Sequence, residues 1–459
     1  MNDKAPAARV AFAALLLAAP SFAGAETPPG AASPLTLAGA MQRARERTGE
    51  VVAAQARRRA AEARVDQARA FRLPSLNLTE LWTRTNNPAE VFALKLNQGT
   101  FSFPEFVASD PNDAAPLNTG VTRAEITLPL FTGGELSGRI DQARLAAASA
   151  SETSAWVADN AALAAAEAYV ILARAEEYAA LLGKSRDTVA AHVKLARDYV
   201  TQGMLVRSDL LRAEVELARM DDLVTEAEGR VRTANANLAF RMGADGSSSW
   251  TLAPLPAPRR VEEPVDGWLA TAAGRSDLGS ARKLLAAGEL EERVRKAPLW
   301  PKVALVARGE LYGDKLFGST GTSGSITAVA TWNVFQGGAD RAAAFAARED
   351  ARAGREDVAR FADGVRLEVR QAFEEARTAE ARHETAKKAL DAAREAERIT
   401  EERFRAGVVK TLDLLDVTTA RREAETRELV ARAEAHAAAL KLAVKAGRRP
   451  ETVLNGGTE

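Results

Sequence analysis

Asp413 and Asp416 stand three residues apart in the stretch TLDLLDVTT, a spacing that puts both carboxylates on one face of a helix. Paired carboxylates serve acid–base catalysis where a partner group faces them, and otherwise attract cations. Asp413 follows Thr411 just inside a helix start, where the helix dipole by itself favours an acid. Asp416 lies deeper, beyond the reach of capping. Catalysis would need a companion, and the three histidines do not supply one. His192, His383 and His436 are far apart in charged helical sequence and read as solvated surface side chains. The chain has no cysteine, which removes thiolate chemistry, disulfides, thiolate zinc sites and a lipidated-cysteine anchor. Neither a Gly-rich phosphate loop nor a nucleophile elbow occurs. The expectation is a protein that is not an enzyme, with no cofactor and no metal site.

These acids belong to the second of two copies of one pattern. Gly133-Gly134 recurs as Gly337-Gly338, 204 residues on. The same offset carries Gly203 to Gly407, Asp209-Leu210-Leu211 to Asp413-Leu414-Leu415, and Gly243 to Gly447. Upstream of the Gly pairs the offset is 227: EVVAAQA from Glu50 resembles DLGSARK from Asp277, and PSLNL from Pro74 resembles PKVAL from Pro301. The 23 extra residues of the first copy fall between Trp82 and Val121, where turn residues abound, so about Thr83 to Gly120 reads as a long loop. Each copy is helix, strand, variable loop, strand, long helix, turn and returning helix. The expected plan is a signal peptide over 1–25, a first repeat over 26–246, a linker over 247–264, a second repeat over 265–448 and a tail over 449–459.

No proline interrupts Gly134 to Gly203, so a helix filling that span would be about 100 Å long. The second copy repeats it from Gly338 to Gly407. Ile140, Ala147, Ser154, Ala161, Ala168, Ala175, Leu182, Val189 and Ala196 fall seven apart, as do Val358, Val365, Ala372, Ala379, Ala386 and Ala393. The returning helix keeps two seams, Leu210, Leu217, Val224, Val231, Leu238 and Ala213, Met220, Ala227, Ala234. Such spacing predicts coiled-coil packing with close helix axes. Around Val303 to Leu311 and Ile326 to Val334 the period changes to two, with apolar and polar residues alternating. Leu76 and Leu78, then Ile126, Leu128 and Leu130, keep the parity in the first copy, whose second strand should finish near Leu128 because Pro129 cannot donate to a ladder. Pattern by itself does not separate an outer-membrane barrel strand from a half-buried soluble sheet. Four strands cannot close a barrel, so in the barrel reading several chains contribute.

With 62 basic and 62 acidic residues, the chain lacks the basic excess of a nucleic-acid binder. Lys4 and Arg9, an apolar run from Val10 to Ala19, and Ala23-Gly24-Ala25 form a secretory signal cleaved near Ala25. The run is shorter than the roughly 20 residues of a membrane anchor, and no later segment reads as a transmembrane helix.

The strand-to-helix motifs LPLFTGGE and WNVFQGGA, with the turns YVTQGMLVRSDLLRAEVELA and FRAGVVKTLDLLDVTTARRE, resemble the TolC family of outer-membrane efflux proteins from about Leu35 to Gly447. The resemblance implies a mixed, mainly-α membrane protein. In such a homotrimer, long helical hairpins form a periplasmic α-barrel and four β-strands per chain contribute to a 12-stranded outer-membrane β-barrel set in lipid. It implies a passive exit duct for tripartite efflux or type I secretion, fed by a periplasmic adaptor (membrane fusion protein) and an inner-membrane pump of RND, ABC or MFS type. Residue by residue, it assigns Asp413 and Asp416 to the periplasmic entrance constriction, where threefold symmetry would stack two rings of carboxylates. Asp209, with Phe404, Arg207 and Lys410, falls at the contact between hairpin tips. Here Phe404 and Val409 replace the Tyr and Arg partners of some members, and Arg207, Arg405 or Lys410 could substitute. Gly203, Met204, Leu205, Gly407, Val408 and Val409 match adaptor-contacting tips, although either Gly also suits a simple helix C-cap. Gly133, Gly134, Gly337 and Gly338 match the strand-to-helix hinge. The competing reading is a soluble periplasmic coiled-coil adaptor, which would leave the mature protein wholly in the soluble periplasm. Cargo, whether drug, metal ion or polypeptide, is not written in these residues.

Overall fold

The computed structural model describes residues 34–450 apart from 204, 205, 247, 259, 407 and 410. Its first copy comprises α1 (Leu37–Arg47), α2 (Gly49–Ala70), β1 (Ser75–Thr85), α3 (Pro88–Asn97), α4 (Phe103–Ala108), β2 (Leu117–Phe131), α5 (Glu135–Thr201) and α6 (Arg207–Arg241). The second comprises α7 (Val265–Ala272), α8 (Ser276–Glu289), α9 (Glu291–Lys296), β3 (Lys302–Gly313), β4 (Gly321–Thr331), α10 (Ala339–Arg405) and α11 (Thr411–Lys445).

The long rods follow from what interrupts the chain and what does not. α5 and α10 each run 67 residues, about 100 Å, and α6 and α11 each run 35. Left-handed glycines end the first rod at Gly203 (φ 73°) and the returning helices at Gly243 (φ 66°) and Gly447 (φ 74°). The rods pack as antiparallel hairpins, α5 on α6 and α10 on α11, with α11 also lying along α5. Of the two seams read on the returning helix, the small one is the core: Ala213, Met220, Ala227 and Ala234 are buried, and Leu210 and Leu217 pack beside them. On α5, Ile140, Ala161, Ala168, Leu182, Val189 and Ala196 are buried at the expected sevenfold spacing. One 18-residue window of α5 is apolar enough by length and composition to cross a bilayer, which corrects the expectation that no later segment qualifies. Half of that window is buried against other helices.

The widest part of the core lies where the rods meet the short helices. Tyr169 of α5 is buried there with Met41, Leu172, Leu238, Met242 and Leu440. Its hydroxyl lies 2.8 Å from the Leu35 carbonyl and 2.6 Å from that of Ala253, and burial pushes its pKa up to about 12. Leu35 in turn bridges Leu252, so the stretch between the two copies is strapped to the start of the first.

The four strands form one antiparallel sheet in the order β1-β2-β3-β4. Two sequence expectations are corrected here. β2 does not stop near Leu128 but continues to Phe131, because a register shift between Pro129 and Phe131 absorbs the missing proline N–H. β4 is shorter than its alternation suggested, ending at Thr331 opposite Lys302, where its β3 partner begins. The 83–120 region is no unstructured loop: β1 extends to Thr85, β2 starts at Leu117, and α3 and α4 lie between. Asn87 caps α3, its side chain accepting from Ala89 N and Glu90 N, with Pro88 in the first turn. The signal for that helix, Asn-Pro-Ala-Glu, was present in the sequence.

Candidate pore wall and periplasmic entrance

Register assigns every strand residue to one of two faces. Leu76 and Leu78 stand opposite Ile126 and Ala124, Ile126 opposite Ala307, and Ala307 opposite Ile326. This face is a band of leucine, isoleucine and alanine, yet in a single chain it is bare: Leu78 is 72% exposed and Ile326 77%. The other face carries charge. Arg123 Nε donates to Glu310 at 2.6 Å directly across β2 and β3, and Arg308 Nη2 donates to Glu125 at 2.7 Å two residues away. Ser325 and Thr327 continue that face on β4. Among the described residues, no strand covers the outer edge of β1 or of β4. One apolar face, one ion-paired face and two open edges are the pattern expected of strands that line a membrane barrel.

The wall turns into rods at the glycine pairs. Gly133 and Gly134 have φ 65° and 90°, Gly337 and Gly338 have φ 62° and 86°, all in the left-handed region. A Cβ on Gly133 would sit 2.4 Å from the Ala297 carbonyl oxygen, so that position excludes a side chain by contact as well as by φ. Lys302 beside this junction binds Glu135 at 2.8 Å and holds its carboxyl below the ordinary range.

At the far end, Asp413 lies in the first turn of α11 and Asp416 one turn deeper, both exposed. Asp209 occupies the first turn of α6 and is half-buried; Arg207 is exposed and Phe404 half-buried. Val408 is exposed and Val409 half-buried. Met204, Leu205, Gly407 and Lys410 lie outside the described residues. Apolar side chains crowd this end in the open, with Val206, Leu211, Val215 and Leu412 all exposed. The link between hairpins that the sequence reading missed is deeper: Arg422 of α11 donates to Met220 Sδ at 3.0 Å and lies 3.7 Å from Glu216 of α6. Nothing local marked it, since the partners are about 200 residues apart.

The histidines depart from the expectation of solvated surface side chains: His192 and His383 are half-buried and His436 is buried. His436 of α11 is buried facing α5, α10 and the 255–258 strap, because the strap folds over it. One ring nitrogen bonds the Pro256 backbone and Nε2 has no partner among the described residues. It borders a cavity of about 420 Å³ that Arg174, Glu177, His383, Glu428 and Arg432 also line. Burial, and then the charge of Arg432, pull its pKa down to about 4. His383 pairs with Glu428 at 3.2 Å. Among the described residues no cluster of three or more His, Asp or Glu is placed to hold a metal ion.

Residues 40–244 and 270–448 match the profile of the outer membrane efflux protein family. The chain belongs to that family. Both copies of the internal duplication are matched. Among solved structures, CusC, described for its transmembrane channel formation, superposes with a TM-score of 0.75 at 14% identity over 90% of this chain and 92% of its own. The outer membrane protein VceC of Vibrio cholerae superposes at 0.72 and 19% identity over 90% and 96%. At these identities the likeness is one of fold. Protein CyaE of Bordetella pertussis is 28% identical over 262 residues, a match spanning 55% of each chain. As an outer membrane efflux protein, the chain resides in the outer membrane, and its helices form the periplasmic part.

Proposed function

We propose that three copies of this chain assemble into an exit duct, in which twelve strands close a barrel through the outer membrane and twelve helical segments close a tunnel through the periplasm. The single observation that carries this is the sheet: its apolar face is bare, its opposite face is ion-paired, and both of its edges are open. Neighbouring copies pairing β4 to β1 remove the edges, and lipid covers the apolar band. Substrate passes from an inner-membrane pump, of RND, ABC or MFS type, and a periplasmic adaptor, which docks on the exposed apolar residues around Gly203 and Val408. The duct serves efflux or type I secretion, and conduction is passive, driven by the pump. The signal peptide, cleaved near Ala25, is what delivers the chain.

Asp413 and Asp416 form the entrance rings of that duct. Their exposure at the start of α11 supports this role, because neither is consumed by burial within its own chain. In a planar bilayer, Asp413→Ala/Asp416→Ala should raise single-channel conductance and weaken block by divalent cations relative to wild type. An unchanged channel would remove the entrance assignment. A mature protein found as a water-soluble monomer would remove the duct.

A further inference from the structure

The 31 residues joining β1 to β2, 86–116, do not project away from the sheet; they lie on its charged face. Three separate contacts fix this. Gln98, 3% exposed, donates through Nε2 to Thr119 Oγ1 at 2.8 Å, and Thr119 shares the face of Arg123 and Glu125. The same nitrogen reaches the Asn118 carbonyl at 3.0 Å and that of Gly313 at 3.3 Å, tying β2 to β3 beneath it. Further across, a Cβ on Gly321, the partner of Tyr312 on that face, would fall 1.7 Å from the Asn97 carbonyl oxygen, so the end of α3 rests directly on β4. The segment thus spans the sheet from β1 to β4. Thr119 and Tyr312, on the covered stretch of that face, are 0% and 8% exposed, whereas Ser325 and Thr327 deeper on β4 are exposed. The segment is stiffened by Phe92, Phe101 and Phe106, whose ring centroids lie 5.3–5.7 Å apart.

The turn between β3 and β4 does the opposite. A Cβ on Gly120, which would stand on the apolar face, falls 2.2 Å from the Lys315 carbonyl oxygen. Leu316 and Phe317 on that turn are exposed. The short turn therefore leans toward the lipid side and the long segment toward the lumen.

We propose that residues 86–116 of three protomers form the exit constriction of the duct, folded inside its outer mouth; this rests on the trimeric reading above. The dimensions fit it. Twelve strands about 4.8 Å apart and tilted about 40° close a ring about 24 Å across between backbones. A helix with its side chains is about 10 Å wide, so three copies of α3 seated on the wall occupy most of the opening. Phe103, Leu96 and Val107 are exposed in one chain, and around a threefold axis the groups that cover them are the same residues of the other two copies. Below this ring stand the ion pairs of Arg123, Glu125, Arg308 and Glu310.

The test uses the absence of native cysteine. Ser325→Cys places one thiol on the charged face, deeper than the segment. Intact cells carrying this variant are treated from outside with a small methanethiosulfonate and with a maleimide on a bulky polyethylene glycol. A second variant combines Ser325→Cys with replacement of residues 88–113 by a short Gly-Ser turn. The expected result is labelling by the small reagent in both, and by the bulky reagent only after replacement. Gln98→Ala, which leaves the segment in place but removes its anchor, should give partial bulky labelling. Equal bulky labelling of both variants overturns the constriction while leaving the duct standing. Failure of even the small reagent in both overturns the duct itself, because the charged face would then not line a passage open to the exterior.

Discussion

Replacing Arg275 with alanine tests whether the helical part is held by one buried cation. The guanidinium is only 2% exposed. It clasps Asp277 of α8 with two bonds of 2.9 and 2.6 Å, donates to Glu368 of α10 at 3.0 Å and to the Lys445 carbonyl of α11 at 3.2 Å, and lies 4.7 Å from the ring centre of Trp156 on α5. Four helices converge on it. Burial disfavours the cation, but the two carboxylates outweigh that and raise its pKa. Removing one member of a buried pair costs about 3–5 kcal/mol. Glu368 keeps Lys445 at 3.1 Å, so the lower end applies, about 3 kcal/mol. At about 2.1 cal/mol/K of unfolding entropy per residue, that shifts the melting midpoint down by about 3 °C. The assay is calorimetry of the detergent-extracted protein at fixed concentration. Arg275→Lys keeps the charge and loses the two-pronged clasp, so it should fall between. Arg398→Ala removes a cation from an exposed network with Glu395 and Glu402 and should leave the midpoint where it is. If Arg275→Ala and Arg398→Ala shift the midpoint equally, the hub is not a hub.

Two further outcomes follow from the same geometry. His436 is held neutral in the folded chain with its pKa near 4, against 6.5 when free, so its contribution is present above pH 6.5 and lost as pH falls toward 4. Thermal midpoints of wild type should drop across that window more steeply than those of His436→Leu, by at most about 1.4 kcal/mol per pH unit; parallel curves would refute the burial argument. Gly133→Ala and Gly203→Ala both place a side chain at positive φ, worth about 1–2 kcal/mol each, but only at Gly133 does the new Cβ meet backbone. Gly133→Ala should therefore lower the melting midpoint clearly more, and equal losses would contradict the packing of that junction.

Much of this fold is legible in the amino-acid order alone. The 204-residue offset located the ends of the long helices in both copies, since α5 and α10, and likewise α6 and α11, begin and end that distance apart. It was legible because glycine and the absence of proline set helix limits locally. Alternation likewise announced the strands and their two faces. What escaped depends on distance or compensation. The bulge at Pro129 rescues a strand that proline should have ended, and it needs β3 as a partner to do so. Arg275 reaches across 93 and 170 residues, so no local pattern could single it out. His436 looked like a surface residue because the strap that covers it comes from a different part of the chain. Near the start of α11, the sequence placed Asp413 and Asp416 on one helix face and both are exposed, while the link at Arg422, Glu216 and Met220 had no local mark.

The two 67-residue rods also act as a ruler. A tunnel whose staves alternate between first-half and second-half rods stays level only while the two keep equal length. Losing one residue from one stave would drop its end by about 1.5 Å and swing every later side chain by about 100° out of its seam. A change in the reach of such a tube must be written into both halves of the gene together, in steps that restore the sevenfold phase. The connections between paired strands carry no such bond between halves, and it is there that they differ by 23 residues.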